Sequence, residues 1–238
     1  VTEPSARNPP APYTGVDNLE VMLEAENYNR YLLNLVRTHM GAARRVVDFG
    51  AGAGTFAIPV AALGVELTPV EPDPALRTTL AAHGLAAAAD VRSLADGSFD
   101  YAYTLNVLEH IDDDVAALRA LRTKLAPRGK LLIYVPAFPV LFTSMDAKVG
   151  HVRRYTRSTL VASVEAAGFA VADVRYADSL GFLATLAFKL IGNDRGELDR
   201  RAIRLYDRIA FPVSRVVDSL TQRWFGKNLV LIANNPAS

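Results

Sequence analysis

The run Gly150-His151-Val152-Arg153-Arg154-Tyr155 sets an imidazole, two guanidiniums and a phenol close together. His151 suits proton transfer near neutral pH. Arg153 and Arg154 suit a forked grip on a carboxylate or phosphate, and Tyr155 can orient either. A second imidazole, His110, stands in Asn106-Val107-Leu108-Glu109-His110. His39 and His83, near the ends of expected helices, have surface or capping roles by default. A base beside a positioned hydroxyl or ammonium is the chemistry on offer, with His151 or His110 as the catalytic group. A structural reading stands next to it. The Arg-Arg-Tyr run can pin a long loop to Asp146 or to the helix that follows, and Glu109 and His110 can open a helix and shape a pocket wall.

A second constellation is built to hold a ligand. Val46-Val47-Asp48-Phe49-Gly50-Ala51-Gly52-Ala53-Gly54-Thr55 reads as a buried strand, a glycine-rich turn and a helix start. Glycines at alternate positions let the backbone approach a ligand closely. At the first strand of a parallel sheet, such a turn holds a nucleoside-bearing cofactor. A dinucleotide fingerprint wants its last glycine at position 55, which is Thr55. An NAD-dependent oxidoreductase is therefore the alternative, not the first reading. Glu71 closes the next strand, where a carboxylate can accept both hydroxyls of a ribose. Asp90 closes the one after, where an adenine edge would lie.

The elements that carry these groups alternate. Strands are expected at 46–49, 66–70, 85–89, 99–105, 130–135, 169–176 and 228–233, the third being weak. Helices are expected at 19–37, 56–63, 75–82, 113–125 and from 158 or 159 to 167. Pro127-Arg128-Gly129 reads as a turn. This pattern gives an α/β fold: a Rossmann-like, mostly parallel seven-stranded sheet with helices on both faces. Residues 177–227 are too many for a hairpin and form a helical cap or insert before the last strand. Its stripe Leu198, Ala202, Leu205, Ile209, Val213, Val216 and Leu220 should kink at Pro212, and offers a homodimer face. Residues 1–18, rich in proline, read as a flexible tail, and 19–238 as one domain.

Taken together, Asp48-Phe49-Gly50-Ala51-Gly52-Ala53-Gly54-Thr55, Glu71-Pro72-Asp73 and the run 99–113 resemble class I S-adenosylmethionine-dependent methyltransferases. The G-H-x-R-R-Y run resembles a bacterial small-molecule subgroup of them. The resemblance implies a last strand that is antiparallel and joins the sheet edge. It implies that Asp48, Gly50, Ala51 and Gly52 lie against the methionine part and ribose. It assigns Glu71 to the ribose, Pro72 to the adenine, and Asp90 with Val91 to the adenine amino group. Asn106 and Val107 fall near the methyl donor. Tyr28, in a stretch similar to the subgroup's N-terminal helix, closes over the cofactor. Arg153, Arg154 and Tyr155 are left for the acceptor. The 106–110 run also resembles the E-x-x-E-H run of quinone-pathway O-methyltransferases, which can bind a divalent metal. Asn106 replaces the first acid and weakens such a site, so no metal is expected.

Bulk properties narrow the function further. The chain has 238 residues, half of them hydrophobic, with net charge +1 and no cysteine. That balance argues against a nucleic-acid partner, and no disulfide or thiolate chemistry is open to it. The longest apolar stretch, 180–191, is interrupted by Lys189 and is well short of the ~20 residues of a membrane span. A cytoplasmic protein is expected. The reading is methyl transfer from S-adenosylmethionine, leaving S-adenosylhomocysteine, to a small acceptor with an apolar body and an anionic or hydroxyl group. Oxygen is the first choice of acceptor atom, then nitrogen or carbon. A non-catalytic protein that binds the cofactor and a partner is the reading of a different kind.

Overall fold

The computed structural model describes residues 24–191 and 200–237. The expected tail 1–18, the start of the first expected helix and Leu198 lie outside the described residues.

Among them, α1 (Glu26–Met40) precedes β1 (Arg45–Phe49), α2 (Ala57–Ala61), β2 (Glu66–Val70), α3 (Pro74–Ala82) and β3 (Phe99–Leu105). Then come α4 (Asp114–Lys124), β4 (Leu125–Pro136), α5 (Ser144–Lys148), α6 (Arg157–Ala166) and β5 (Ala170–Ala177). The insert supplies α7 (Ser179–Ile191), α8 (Arg200–Leu205) and α9 (Phe211–Thr221), and β6 (Asn228–Asn234) ends the sheet.

The six strands form one sheet in the order β2-β1-β3-β4-β6-β5. The neighbours from β2 to β4 are parallel, while β6 runs antiparallel to both β4 and β5. The Rossmann-like α/β reading holds, with two corrections. The sheet has six strands rather than seven: residues 85–89 contribute only a bridge, Val70 to Ala88. That segment is mostly alanine, which packs poorly on a pleated surface. The reversed strand β6 does not lie at the edge. It slots between β4 and β5, so β5 is the edge strand.

Alternation along the strands builds two cores, because successive side chains point to opposite faces. Val46, Tyr101, Tyr103, Leu132, Tyr134 and Val230 face α1, where Leu32, Leu35, Val36 and Met40 are buried against them. Val47, Ala102, Leu131 and Ile133 face the other way, onto Leu118 and Leu121 of α4 and Leu160 and Val164 of α6.

The expected turn at 127–129 is absorbed into β4, which begins at Leu125 and carries Arg128 at a φ of 66°. In the insert, Pro212 sits in the first turn of α9, where a missing N–H costs least. The departure from α geometry lies just upstream, as a π-helical turn at Tyr206–Ala210. Asp207 lies within this turn, with its side chain buried.

Candidate functional site

The glycine turn leaves β1 and folds back onto the end of β2. The N–H groups of Gly50 and Ala51 both donate to the Val70 carbonyl, at 2.9 and 3.1 Å. Gly50 has a φ of 85°, and a Cβ there would come within 2.4 Å of a Val107 methyl. Gly52, at φ 55°, is different: a Cβ on it would meet nothing within 4 Å. The turn is thus closed towards Val107 and open at Gly52.

Glu71 is buried and oriented by two backbone donors. Gly52 N–H donates to Oε2 at 2.8 Å and Asp73 N–H to Oε1 at 2.9 Å. A carboxylate has about four acceptor positions, so capacity remains for a ribose diol. Pro72 follows, its carbonyl gripped by Arg77. Asp48 is buried beneath the turn. Burial, reinforced by the Glu71 charge, pushes its carboxyl up to about 7. Asp90 is more exposed. Its carboxylate accepts from the Arg92 backbone N–H at 2.8 Å and pairs with the Arg92 guanidinium, while Val91 beside it is buried. Asn106 sits at a φ of 54° at the end of β3 and donates through Nδ2 to the Tyr28 hydroxyl at 3.3 Å. The turn, Glu71 after β2 and the Asn106–Tyr28 pair after β3 therefore lie along one edge of the sheet, with Asp90 just beyond the Val70–Ala88 bridge, a set that fits a nucleoside cofactor.

The loop after β4 docks on the segment after β3. Val152 N–H donates to the Glu109 carbonyl at 2.8 Å, and Arg153 donates to the Asp112 carbonyl at 2.7 Å. This brings His151 and His110 together, with ring centres 4.7 Å apart and edge to face. His151 Nδ1 lies 2.7 Å from Asp146 Oδ1, and its Nε2 lies 3.8 Å from Glu109 Oε1. His110 Nδ1 lies 3.2 Å from the Gly150 carbonyl.

The electrostatics of this cluster follow from burial. Glu109 is fully buried, and neither carboxylate oxygen has a hydrogen-bond partner among the described residues. Burial pushes it up to about 8. Burial and the adjacent His151 push His110 down to about 4. Asp146 goes the other way. Burial alone would raise it, but the contacts to His151 and Arg154 outweigh burial and hold it well below the carboxylate range. Glu109, His110 and His151 each present a ligand atom within 4.8 Å of the others. With Asp146 on Nδ1, a divalent ion held by this set would take the His151 nitrogen that faces Glu109, so metal binding and proton transfer at that atom are alternatives. The ligand run considered in the sequence began at Asn106. The fold instead turns Asn106 towards Tyr28 and brings in His151 from the later loop.

Two of the three residues assigned to the acceptor have other work. Arg154 is buried and grips Asp146 through Nε at 2.8 Å and Nη2 at 3.0 Å, with Nη1 on the Ala137 carbonyl. Tyr155 is buried with its hydroxyl 2.7 Å from Asp114 Oδ2. The Arg154–Asp146 contact is the loop pinning of the structural reading, whereas Tyr155 takes a partner outside it, Asp114 of α4. Both contacts exist because a buried guanidinium and phenol need partners. Arg153 also reaches Asp114, at 3.3 Å, but its side chain stays 32% exposed against 1% for Arg154. Asp114 and Asp207 were not singled out in the sequence. The only signal for Asp207 was an acid within an otherwise arginine-rich segment.

Sheet order, reversed β6 and the glycine turn with its strand-end acid define the class I S-adenosylmethionine-dependent methyltransferase architecture. A family model for a methyltransferase domain matches residues 17–174, and the chain belongs to that family. Membership makes S-adenosylmethionine the cofactor. Ubiquinone biosynthesis O-methyltransferase of Xanthomonas oryzae pv. oryzae is 34% identical over 43% of this chain and 50% of that protein. The chain spans about half the length of the curated relatives it matches. Among solved structures, a SAM-dependent methyltransferase from Archaeoglobus fulgidus superposes with a TM-score of 0.61 at 19% identity, covering 92% of this chain and 99% of that one. The Burkholderia thailandensis 1,6-didemethyltoxoflavin-N1-methyltransferase, with 1,6-didemethyltoxoflavin and S-adenosylhomocysteine bound, gives 0.54 at 18%, covering 97% and 93%. Both likenesses establish the fold. No helix among the described residues is long and apolar enough to cross a membrane.

Proposed function

We propose that this protein transfers a methyl group from S-adenosylmethionine to an oxygen of a small acceptor, with His151 as the general base. The observation that carries the reading is the 2.7 Å contact between Asp146 and His151 Nδ1, on a loop docked against Glu109. A carboxylate on Nδ1 fixes the tautomer and leaves Nε2 as the basic atom.

When bound, the sulfonium cofactor supplies an activated methyl group. Gly52 and Glu71 hold the ribose side, Asp48, Gly50 and Ala51 flank the turn, and Asp90 with Pro72 and Val91 border the adenine side. Tyr28, Asn106 and Val107 cover the methionine end. His151 takes the acceptor's proton, with His110 packed against it. The protein's main contribution is alignment of the acceptor with the donor. Arg153, the most exposed of the three loop residues, meets an anionic group on the acceptor. Arg154 and Tyr155 position the loop rather than touch the acceptor. The curated relatives' names, which specify O-methylation, favour oxygen over nitrogen or carbon.

Isothermal titration with S-adenosylhomocysteine tests the cofactor half, and no binding would refute it. His151→Ala tests the reacting half. The variant should retain S-adenosylhomocysteine affinity while losing about 100-fold or more in methyl transfer, the contribution of a general base. Unchanged turnover would remove His151 from the chemistry.

A further inference from the structure

The helical insert turns a large apolar face to solvent. Leu205, Ile209, Val213, Val216 and Leu220 recur every three or four residues and are all at least half exposed. Trp224 extends the face, and Val216, Leu220 and Trp224 are 72%, 74% and 69% exposed. The opposite face is already satisfied: Asp207, Phe211, Ser214 and Asp218 are buried against the domain. The outward stripe is therefore not part of this domain's own core. Contiguous exposed apolar surface of this kind marks a docking site.

Charge selects the occupant. Both acids of residues 200–227 point inward. Asp207 accepts the backbone N–H groups of Asn27 and Tyr28, and Asp218 accepts those of Asp178 and Ser179. The exposed charges of this stretch are arginines: Arg200, Arg201, Arg204, Arg208 and Arg223. Glu24 pairs with Arg200 and Arg204. The acids Asp194, Glu197 and Asp199 lie outside the described residues. An apolar stripe among arginines, ending in tryptophan, is the pattern of a helix that lies in a lipid headgroup layer. A second copy fits less well. Twofold pairing would place the same arginines of both copies on one interface, where like charges repel.

We propose that residues 200–224 dock this protein on an anionic lipid surface, with the stripe from Leu205 to Trp224 facing the acyl chains and Arg208 and Arg223 on the headgroups. This does not rest on the methyl-transfer reading. Sedimentation with vesicles tests it, using phosphatidylcholine alone or mixed with phosphatidylglycerol. The protein should sediment with the anionic vesicles and not the neutral ones, and about 0.5 M salt should weaken the binding. The double variant V216D/L220D should lose binding. Arg208→Glu and Arg223→Glu should each lower partitioning about fivefold or more. Circular dichroism and thermal melting show whether each variant is folded. These exposed side chains lie outside the buried clusters of the described residues, and the arginine variants provide a second reading should the apolar one unfold. Failure of the folded wild type to bind anionic vesicles overturns the proposal. So does equal binding to neutral vesicles, or a dimer in sedimentation velocity that V216D/L220D dissociates while vesicles bind neither form.

Discussion

Asp207 accepts the backbone N–H of Tyr28 at 2.9 Å, joining residues 179 apart in sequence. Its other oxygen accepts the N–H of Asn27, also at 2.9 Å. The first turn of α1 is therefore capped by the insert and not by its own N-cap, Ala25, whose side chain makes no cap hydrogen bond. The insert thereby holds the helix that carries Tyr28 against Asn106.

Removing that cap should loosen α1 before anything else. Asp207→Ala should cost about 2 kcal/mol, the worth of a strong N-cap. Hydrogen exchange at residues 26–31 should speed up while β1, β3 and β4 stay protected. Uniform acceleration across the sheet would show that Asp207 supports the whole domain rather than this contact.

The glycine turn should tolerate a side chain at position 52 better than at 50. Gly50→Ala meets Val107 and must also hold a φ of 85°, so it should destabilise by about 2 kcal/mol or more and abolish S-adenosylhomocysteine binding. Gly52→Ala bears only the backbone strain, on the order of 1 kcal/mol. Adding Val107→Ala to Gly50→Ala should recover part of the stability, since the two residues share one contact. Equal denaturation midpoints for the Gly50 and Gly52 variants would refute the steric argument.

Asp146 is the anion of a buried ion pair, so removing its charge leaves Arg154 unpaired. Asp146→Asn should destabilise by about 3–5 kcal/mol. The acid's pKa is depressed in the folded protein. Its contribution is therefore present above the ordinary carboxylate pKa and is lost as pH falls through its lower folded value. The wild-type advantage over D146N should be full at pH 7 and shrink in acid. A pH-independent difference in unfolding free energy would contradict this.

Asp48 should behave oppositely. Its folded pKa of about 7 lies above the unfolded value of 3.8, because burial penalises the charged form. The unfolded chain then binds fewer protons between those values, so the wild type loses stability as pH rises from about 4 to 7. Asp48→Asn should flatten that slope and be the more stable protein at pH 8, by on the order of 2 kcal/mol. Parallel pH profiles for the two proteins would refute it.

Much of the fold was legible because its signals are local. The hydrophobic runs of β1 and β4, the stop at Gly168 and the glycines after Phe49 each act within a few residues. The third expected strand failed because its alanine-rich run offers little side chain to pair. The edge position expected for β6 failed because strand order depends on where the insert returns the chain, which no local pattern encodes.

The candidate site divides the same way. The pairing of the glycine turn with Glu71 is legible because backbone conformation ties those residue types to that spacing, and Gly52 N–H does donate to Glu71. The polar loop is legible as a group, but its residue types do not fix which partner each one takes. Arg154 to Asp146 spans 8 residues, Tyr155 to Asp114 spans 41 and Tyr28 to Asp207 spans 179. Partners at such distances are chosen by which buried donor meets which buried acceptor once the sheet has closed. Local sequence carries the glycine turn, the alternation of elements and the resemblance to the family, all of which rest on short-range geometry. That Arg154 and Tyr155 are taken up by Asp146 and Asp114, that His151 is backed by Asp146 beside Glu109, and that the insert's apolar stripe faces outward are outcomes of the folded chain. Those outcomes depend on pairing and desolvation between segments remote in the chain, where each buried polar group takes the partner the fold brings to it.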